Sequence, residues 1–490
     1  MPEYTLFDAR VTLLTPLHIG TGRDLLLDYD YAVRGGRTWR INEDALLDAQ
    51  DVEDLAMADA LARTPPAQLL RESDFQIDSP LFDYVLQGIP RSRQAGAQLR
   101  EQIKNVWRQP YLPGSSLKGA LRTALAWHGF AALHMRPDVG KLNRNRKWAA
   151  QGIERDILGR SPNYDLLRAL HVGDSDPVGS DRLMLANAQV LTRGGASAPI
   201  ELEAVRPETV FRLTVKLDEG LFSDWARELG LGSRAEWLRG LPTVVRAHVE
   251  ERIQTERAWY AGVQEAQEAQ TFYGELASLG LPENAFVLQL GWGGGWDSKT
   301  LGSRLRADER FMENVIDKYK LARGRRRPGD AFPKSRRILV RVRQTRDGRA
   351  IEQPALPLGW AMVEMIRRDE PSPEAAPPRE EPVPEVRAER PVTVEGPGVP
   401  RAPSAPEPSE APVAVPKAPA VAPGPHTGVV VRFNLIQKQG TILVDGSELQ
   451  VEVRLGQLRK GVRYLVAGAR VAFTLVQDDQ GIHPEDVRRV

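Results

Sequence analysis

The sequence predicts an α+β chain in four parts: mixed modules over 1–205 and 206–368, an extended linker over 369–426, and a small all-β barrel over 427–490. Three observations carry this. Runs of alternating apolar and polar residues open both halves, over residues 4–20 and at Val210–Asp218, and helical patterns follow each. Residues 369–426 hold seventeen of the thirty-seven prolines, mixed with Ala, Val and Glu, a composition that stays solvated, disordered and coreless. Beyond them, short strand-like runs crowd together, as in a small barrel.

Composition narrows the function. The chain has 490 residues and no cysteine, which removes disulfides, thiolate metal sites and cysteine nucleophiles. Its seven histidines form no His-x-x-x-His or His-Glu-x-x-His pair, so neither a zinc enzyme nor any other cofactor is expected. The opening Met-Pro-Glu-Tyr-Thr-Leu-Phe-Asp is not a signal peptide, and no stretch reaches membrane-spanning length. A soluble cytoplasmic protein without a membrane partner is the expectation. The net charge of +1 hides an uneven distribution: ten acidic and five basic residues over 369–426, against seventeen Lys or Arg and six acids over 299–349. A block of that sign favours a polyanionic partner.

In order, residues 4–20 read as a strand and its exit, which ends in the Gly-bearing loop Thr15-Pro-Leu-His-Ile-Gly-Thr-Gly22. His18 stands there as a general base or RNA contact, although a lone loop histidine is more often structural. Residues 24–41 read as two strands around Arg34-Gly-Gly-Arg37, and Asn42 caps the helix that follows. Tyr111-Leu-Pro-Gly-Ser-Ser-Leu-Lys-Gly-Ala-Leu-Arg122 then runs into a strong helical pattern, with Ser115 or Ser116 as cap. Amides after Gly114, two hydroxyls, Lys118 and Arg122 compose an anion site suited to phosphate, or simply a capped helix with solvated cations. Ser115-x-x-Lys118 has β-lactamase spacing but lacks the Ser-Asp-Asn and Lys-Thr-Gly partners, and no Walker glycines precede the helix.

Residues 138–165 read as a polar, basic loop, and His171-Val-Gly-Asp-Ser-Asp-Pro177 as a strand end and turn. A helical region spans about Thr243 to Ala277. The strand Phe286–Leu290 then enters Gly291-Trp-Gly-Gly-Gly-Trp-Asp-Ser-Lys-Thr300. Glycines admit a ligand close to the backbone, while Trp292, Trp296 and Lys299 offer stacking and charge. The alternative is a turn with two core tryptophans. Pro333–Arg343 is a strand with alternating cations, and Leu356–Ile366 a closing strand. In the tail, Gly428-Val-Val-Val-Arg-Phe-Asn434 resembles the opening of a cold-shock or OB-type domain. The next strands lack the aromatics that stack bases, so nucleic-acid binding there would rest on Arg432, Phe433, Lys438, Arg454 and Lys460.

Four of these motifs, at residues 15–22, 111–122, 291–300 and 332–337, together resemble the RAMP superfamily of CRISPR-associated proteins. Within it they are similar to the terminal subunit, number five, of type III-A (Csm) effector complexes. The resemblance spans residues 1–366 and leaves out the linker and barrel. It implies two tandem ferredoxin-like, RRM-related modules that bind guide RNA (crRNA) near its 3′ end and assist maturation of that end in antiviral defence. It further implies, as partners, an adjacent backbone RAMP subunit, a small helical subunit and a nuclease that trims the RNA. The expected RNA-binding residues are His18, Gly114, Ser115, Ser116, Lys118, Arg122, Trp292, Trp296, Ser298, Lys299, Thr300, Arg336 and Arg337, with no catalytic residue. A metal-independent repeat endoribonuclease using His18 as base and Lys118 as charge stabiliser is the enzymatic alternative. A protein-only scaffold docking an acidic neighbour is the third.

Overall fold

The computed structural model describes residues 4–50, 63–196, 200–322, 331–344, 350–368, 424–434, 439–459, 465, 468–478 and 481–489. Expectations for the linker over 369–423, and for Lys438 and Lys460, lie outside these residues. The chain opens on β1 (Tyr4–Leu13) and β2 (Gly20–Leu26), then the hairpin of β3 (Tyr31–Arg34) and β4 (Arg37–Ile41). Gly35 and Gly36 take φ of 56° and 73°, the left-handed pair that a two-residue hairpin turn requires. Asn42 caps the helix Glu43–Asp48 through the Ala45 amide. β5 (Phe82–Gln87) pairs with β4 to complete a three-stranded sheet, and β6 (Gln98–Gln102) leads to the long helix Gly114–Ala132. β7 (Leu170–Val172), β8 (Leu183–Thr192), the short β9 (Gly195–Ala196), β10 (Ile200–Val205) and β11 (Val210–Asp218) follow. After the helices Leu241–Tyr260 and Gln267–Ala277 come β12 (Ala285–Gln289), β13 (Ser335–Gln344), β14 (Ala350–Pro357) and β15 (Trp360–Arg367).

These strands make two larger sheets. The first runs β12–β15–β1–β11–β7 and is antiparallel throughout. Ala9, Val11 and Leu13 are buried along β1, and Val11 stands between Phe211 and Val363, so one apolar row locks three strands in register. The sheet draws β1 from before residue 205 and β11, β12 and β15 from after it, so strands on the two sides of that expected boundary pair directly. The second sheet runs β14–β13–β8–β10–β6–β2, with only the β10–β6 step parallel. The helix Gly114–Ala132 turns Leu117, Leu121, Leu125 and Phe130 into the core and packs on the helix Leu241–Tyr260, which in turn packs on β12. Each such side chain stabilises by about 1.5–3 kcal/mol.

Two expectations change here. Residues 243–277 form two helices that break over 261–266. The expected closing strand Leu356–Ile366 is instead a crossover: β14 belongs to the second sheet and β15 to the first, with the break at Gly359 (φ 80°). The reason is local. The Gly359 amide donates to the Pro16 carbonyl at 2.9 Å, and its own carbonyl accepts from Leu290 at 2.7 Å.

The C-terminal unit has the sheet order β18–β17–β16–β19–β20, built from β16 (Gly424–Asn434), β17 (Gln439–Val444), β18 (Gln450–Arg454), β19 (Arg470–Asp478) and β20 (Gly481–Arg489). The first strand starts three residues before the expected 427. Phe433 is buried, so it offers no stacking platform, while Arg432 and Arg454 are exposed.

Candidate nucleic-acid interface

Three segments far apart in sequence line one open cleft of about 800 Å³: His18–Asp24, Ser115–Thr123 and Gln289–Lys299. Arg100 and Glu101 of β6 and Glu154 complete its wall. Backbone contacts fuse the loops beneath it. The Trp292 amide donates to the His18 carbonyl at 2.8 Å, the Ile103 amide to the Ile19 carbonyl at 2.8 Å, and the Ile19 amide to Gln102 Oε1 at 2.9 Å. Gly291 takes φ of 66°, and any Cβ there would overlap the His18 carbonyl oxygen.

The helix start differs from its expected form. Pro113 is the N-cap and the helix begins at Gly114, so Ser115 and Ser116 lie within the first turn rather than capping it. The Gly114 amide donates to Asp174 Oδ1 at 2.7 Å, so the expected anion site is already partly filled by a carboxylate. A Cβ on Gly114 would overlap the Val172 and Gly173 carbonyl oxygens, and this closeness explains the glycine. The Asp-rich turn thus serves the helix: Leu112 and Ser175 exchange further hydrogen bonds at 2.9–3.0 Å. Lys118 is half-buried and stands off the cleft wall. Burial pulls its ammonium below its ordinary pKa, Asp165 opposes this, and Arg122 adds to it. Arg122 lines the cleft but pairs with Asp165 at 2.8 Å and Glu154 at 3.2 Å.

His18 is 2% exposed. Its Nδ1 lies 2.6 Å from the Glu203 carbonyl, which can only accept, so Nδ1 carries the proton and Nε2 is the acceptor. A Cβ at Gly20 would come within 2.9 Å of Nε2, so the loop lies close over that nitrogen. Burial lowers the pKa from 6.5 to about 4, while the Glu203 bond opposes this. Nε2 makes no hydrogen bond to a second acid or base among the described residues. A weak, enclosed base of this kind fits a structural role. Behind it, fully buried Glu203 accepts from Tyr84 Oη at 2.6 Å, Lys104 Nζ at 2.6 Å and the Gln102 amide at 3.0 Å.

The glycine-rich loop divides its residues. Trp292, Ser298 and Lys299 reach the cleft, and Ser298 is 8% exposed. The guanidiniums of Arg100 and Arg337 lie 5.3 and 5.0 Å from the Trp292 ring centre. Trp296 and Thr300 turn away, into a neighbouring apolar slot. Lys299 is exposed and makes no ion pair among the described residues.

Arg336 corrects the sequence reading. Its side chain is 10% exposed, held by buried Glu256 at 2.7 Å with Asp297 3.9 Å away, so its charge is already matched by carboxylates. Much of the described basic block is similarly engaged: Arg306 with Asp297, Arg341 with Glu268, and Arg304 over the Trp127 ring at 3.8 Å. Arg323, Arg325, Arg326 and Arg327 lie outside the described residues. The cleft wall itself sets Arg23, Arg100, Arg122 and Lys299 against Asp24, Glu101 and Glu154, four cations to three carboxylates. Sequence reasoning missed Arg23 and Arg100, which the β2–β6–β10 pairing delivers; alternation along Gln98–Gln102 was the only signal. Among the described residues no cluster of three or more His, Asp or Glu could hold a metal, and no helix is long and apolar enough to cross a membrane.

Comparison with known proteins adds to this geometry. The family model described as the RAMP superfamily matches residues 10–296. A curated relative named "CRISPR system Cms protein Csm5" from Streptococcus thermophilus is 31% identical over 145 residues, 26% of this chain and 38% of that protein. One of the same name from Methanocaldococcus jannaschii is 23% identical over 236 residues, 45% of this chain and 55% of that protein. The matches therefore span 38% and 55% of those relatives' lengths. Among solved structures, a chain of a Csm–crRNA–target RNA ternary complex of a type III-A CRISPR-Cas system aligns with a TM-score of 0.56 and 27% identity. That alignment covers 73% of this chain and all of that one. Csm5 of T. onnurineus aligns at 0.50 and 24% over 72% of this chain and 99% of its own length, a likeness of fold alone.

Proposed function

This chain belongs to the RAMP superfamily, and we propose that it is a non-catalytic, guide-RNA-binding subunit of a type III-A CRISPR effector complex. The observation that carries the reading is the convergence of the His18 loop, the Ser115–Arg122 helix start and the Gly291–Thr300 loop on one cleft. Lys299 and Arg100 would neutralise phosphates directly. Arg122 would exchange its partly exposed Glu154 partner for one, because an exposed ion pair is worth only about 0–1 kcal/mol, while the half-exposed guanidinium of Arg23 keeps buried Asp30 and offers its remaining N–H groups. Serine hydroxyls and glycine backbone let the strand approach. The RNA is the 3′ portion of the crRNA, and the subunit caps that side of the complex and presents the end to a separate nuclease. Its neighbours are a backbone RAMP subunit and the small helical subunit.

Two largely antiparallel sheets flanked by helices support two ferredoxin-like modules whose strands interleave across residue 205. In the tail, Leu458 bridges to Val487 in parallel, which brings β18 towards β20 and supports an OB-like closure of the five strands. The tail acts as a tethered module that recruits RNA or nuclease.

The test incubates the full chain with end-labelled, repeat-containing RNA, with and without divalent metal, and scores binding and cleavage on the same samples. Binding without new ends is expected. Metal-independent ends that vanish in His18→Ala would replace the reading with the endoribonuclease, and a complex that assembles normally without RNA would favour a protein scaffold.

A further inference from the structure

A second cavity, of about 310 Å³, opens beside the cleft and shares Arg122, Thr123, Glu154 and Lys299 with it. Its interior is unlike the cleft's. Buried Leu305, Phe311, Val315, Ile153 and Tyr319 line it, together with Trp296. The segment 138–165, expected as a solvated loop, forms part of that lining. Its helix Gln151–Leu158 buries Ile153 and Ile157, and its turn is pinned where Tyr319 Oη donates to the Asn143 carbonyl and Lys318 Nζ to the Leu142 carbonyl at 3.2 Å.

The slot is largely apolar within, and its charged residues are three cations, Arg122, Arg146 and Lys299, to one carboxylate, Glu154. A ligand that fits must therefore present a flat or apolar body with negative charge close outside it. A nucleotide has this build, with a π-faced base on a charged phosphodiester. The volume lies at the small end of ligand pockets and is ample for one base.

We propose that the slot takes one unstacked nucleobase from the RNA strand in the cleft, with the flanking phosphate held at the Arg122–Lys299 rim. The inference deepens the proposed function and rests on it. The shared wall explains how one strand serves both spaces: the backbone stays in the polar cleft while a single base turns through the Thr123–Lys299 gap. The contact from Glu154 to Arg122 is partly exposed, so an arriving phosphate can displace it. Trp296 and Thr300 then belong to base recognition rather than to backbone contact.

An abasic scan of the RNA tests this without altering the protein. Repeat-containing RNAs, each lacking one base, are titrated against the full chain. One position should weaken binding roughly ten- to a hundredfold, as expected for loss of one buried, stacked base, with its neighbours near unity. The same position carrying 2-aminopurine should change emission on binding, and Ala149→Phe, which fills the slot from its half-buried wall, should abolish that change. A flat abasic profile with tight binding overturns the slot but leaves RNA binding standing. No binding by any RNA overturns the functional reading itself. If Ala149→Phe leaves RNA affinity and emission untouched yet expels a neighbouring subunit from the complex, the slot holds a protein side chain and the proposal is wrong.

Discussion

Replacing Lys299 by Ala should change how RNA binding responds to salt, by an amount the cleft allows to be worked out. Four cations line it: Lys299, Arg100, Arg23 and Arg122. If each neutralises one phosphate of a single strand, log affinity falls with log salt at a slope of about −0.7 × 4, or roughly −2.8. Between 50 and 200 mM salt that is a loss of roughly 50-fold, and Lys299→Ala, with a slope of about −2.1, should lose only about 20-fold. Had the whole excess of +11 over residues 299–349 been free to bind, the slope would be steeper than about −7. The pairing of Arg306 and Arg336 with the buried carboxylates of Asp297 and Glu256 argues against that. Fluorescence anisotropy of a labelled repeat RNA over that salt range measures both slopes. Any contribution from residues 323–330 enters both proteins equally and cancels in the difference. Arg341→Ala, which removes a cation that does not line the cleft, is the control and should leave the slope unchanged. An unchanged slope for Lys299→Ala would refute the cleft as the phosphate path.

Two further outcomes follow from buried charge. Glu256→Ala leaves the largely buried Arg336 guanidinium with Asp297 at 3.9 Å as its remaining carboxylate and the Pro333 and Ser335 carbonyls at 3.2 Å, and should cost about 3 kcal/mol, the low end for a broken buried pair. Chemical denaturation reads this, and a loss below about 1 kcal/mol would mean Arg336 escapes to solvent. His18 is held neutral in the fold with its pKa lowered from 6.5 to about 4, so the folded state binds fewer protons than the unfolded chain between those values. Its contribution is complete above pH 6.5 and is lost as pH falls towards 4, by about 3 kcal/mol in all. His18→Asn keeps a donor for the Glu203 carbonyl and cannot titrate. Unfolding curves from pH 7 to 4 should therefore be flatter for the variant, with part of the acid sensitivity remaining through buried His248, whose pKa burial lowers to about 3. Identical curves would refute the burial of His18 as a neutral imidazole.

The elements were legible where period and turn chemistry agreed. β1, β11 and the helix from Gly114 follow from apolar spacing, and the β3–β4 hairpin from Gly35-Gly36. What escaped was long-range pairing. Nothing local in Leu356–Ile366 says that Gly359 must bond to both Pro16 and Leu290, which splits one apolar run between two sheets. The cleft residues were found through three motifs, yet the cations were over-read. Composition reveals an arginine but not its carboxylate, and Glu256 precedes Arg336 by eighty residues. Arg100 was overlooked for the converse reason: a single cation on a short strand carries no signal until β10 and β2 close on either side of it.

The glycines of the Trp-rich loop separate two roles that sequence alone merges. Gly291 and Gly295 have nearly equal φ, 66° and 70°, so an alanine at either pays a similar backbone cost of about 1 kcal/mol. Their surroundings differ. A Cβ on Gly295 meets nothing within 4 Å, whereas one on Gly291 would overlap the His18 carbonyl oxygen and approach Leu17 and Ile19 at 3.0 and 3.1 Å. That carbonyl accepts from the Trp292 amide, so relieving the overlap means parting the His18 loop from the Trp-rich loop, the junction on which the cleft is built. Gly295→Ala should therefore cost little stability and leave RNA affinity within a few-fold. Gly291→Ala should lose affinity well beyond its loss of stability, although it removes no charge, hydroxyl or ring. Thermal unfolding and RNA titration of the two variants side by side provide the comparison. Equal effects would mean that the loop tolerates displacement, and that the cleft does not depend on the closeness of these two backbones.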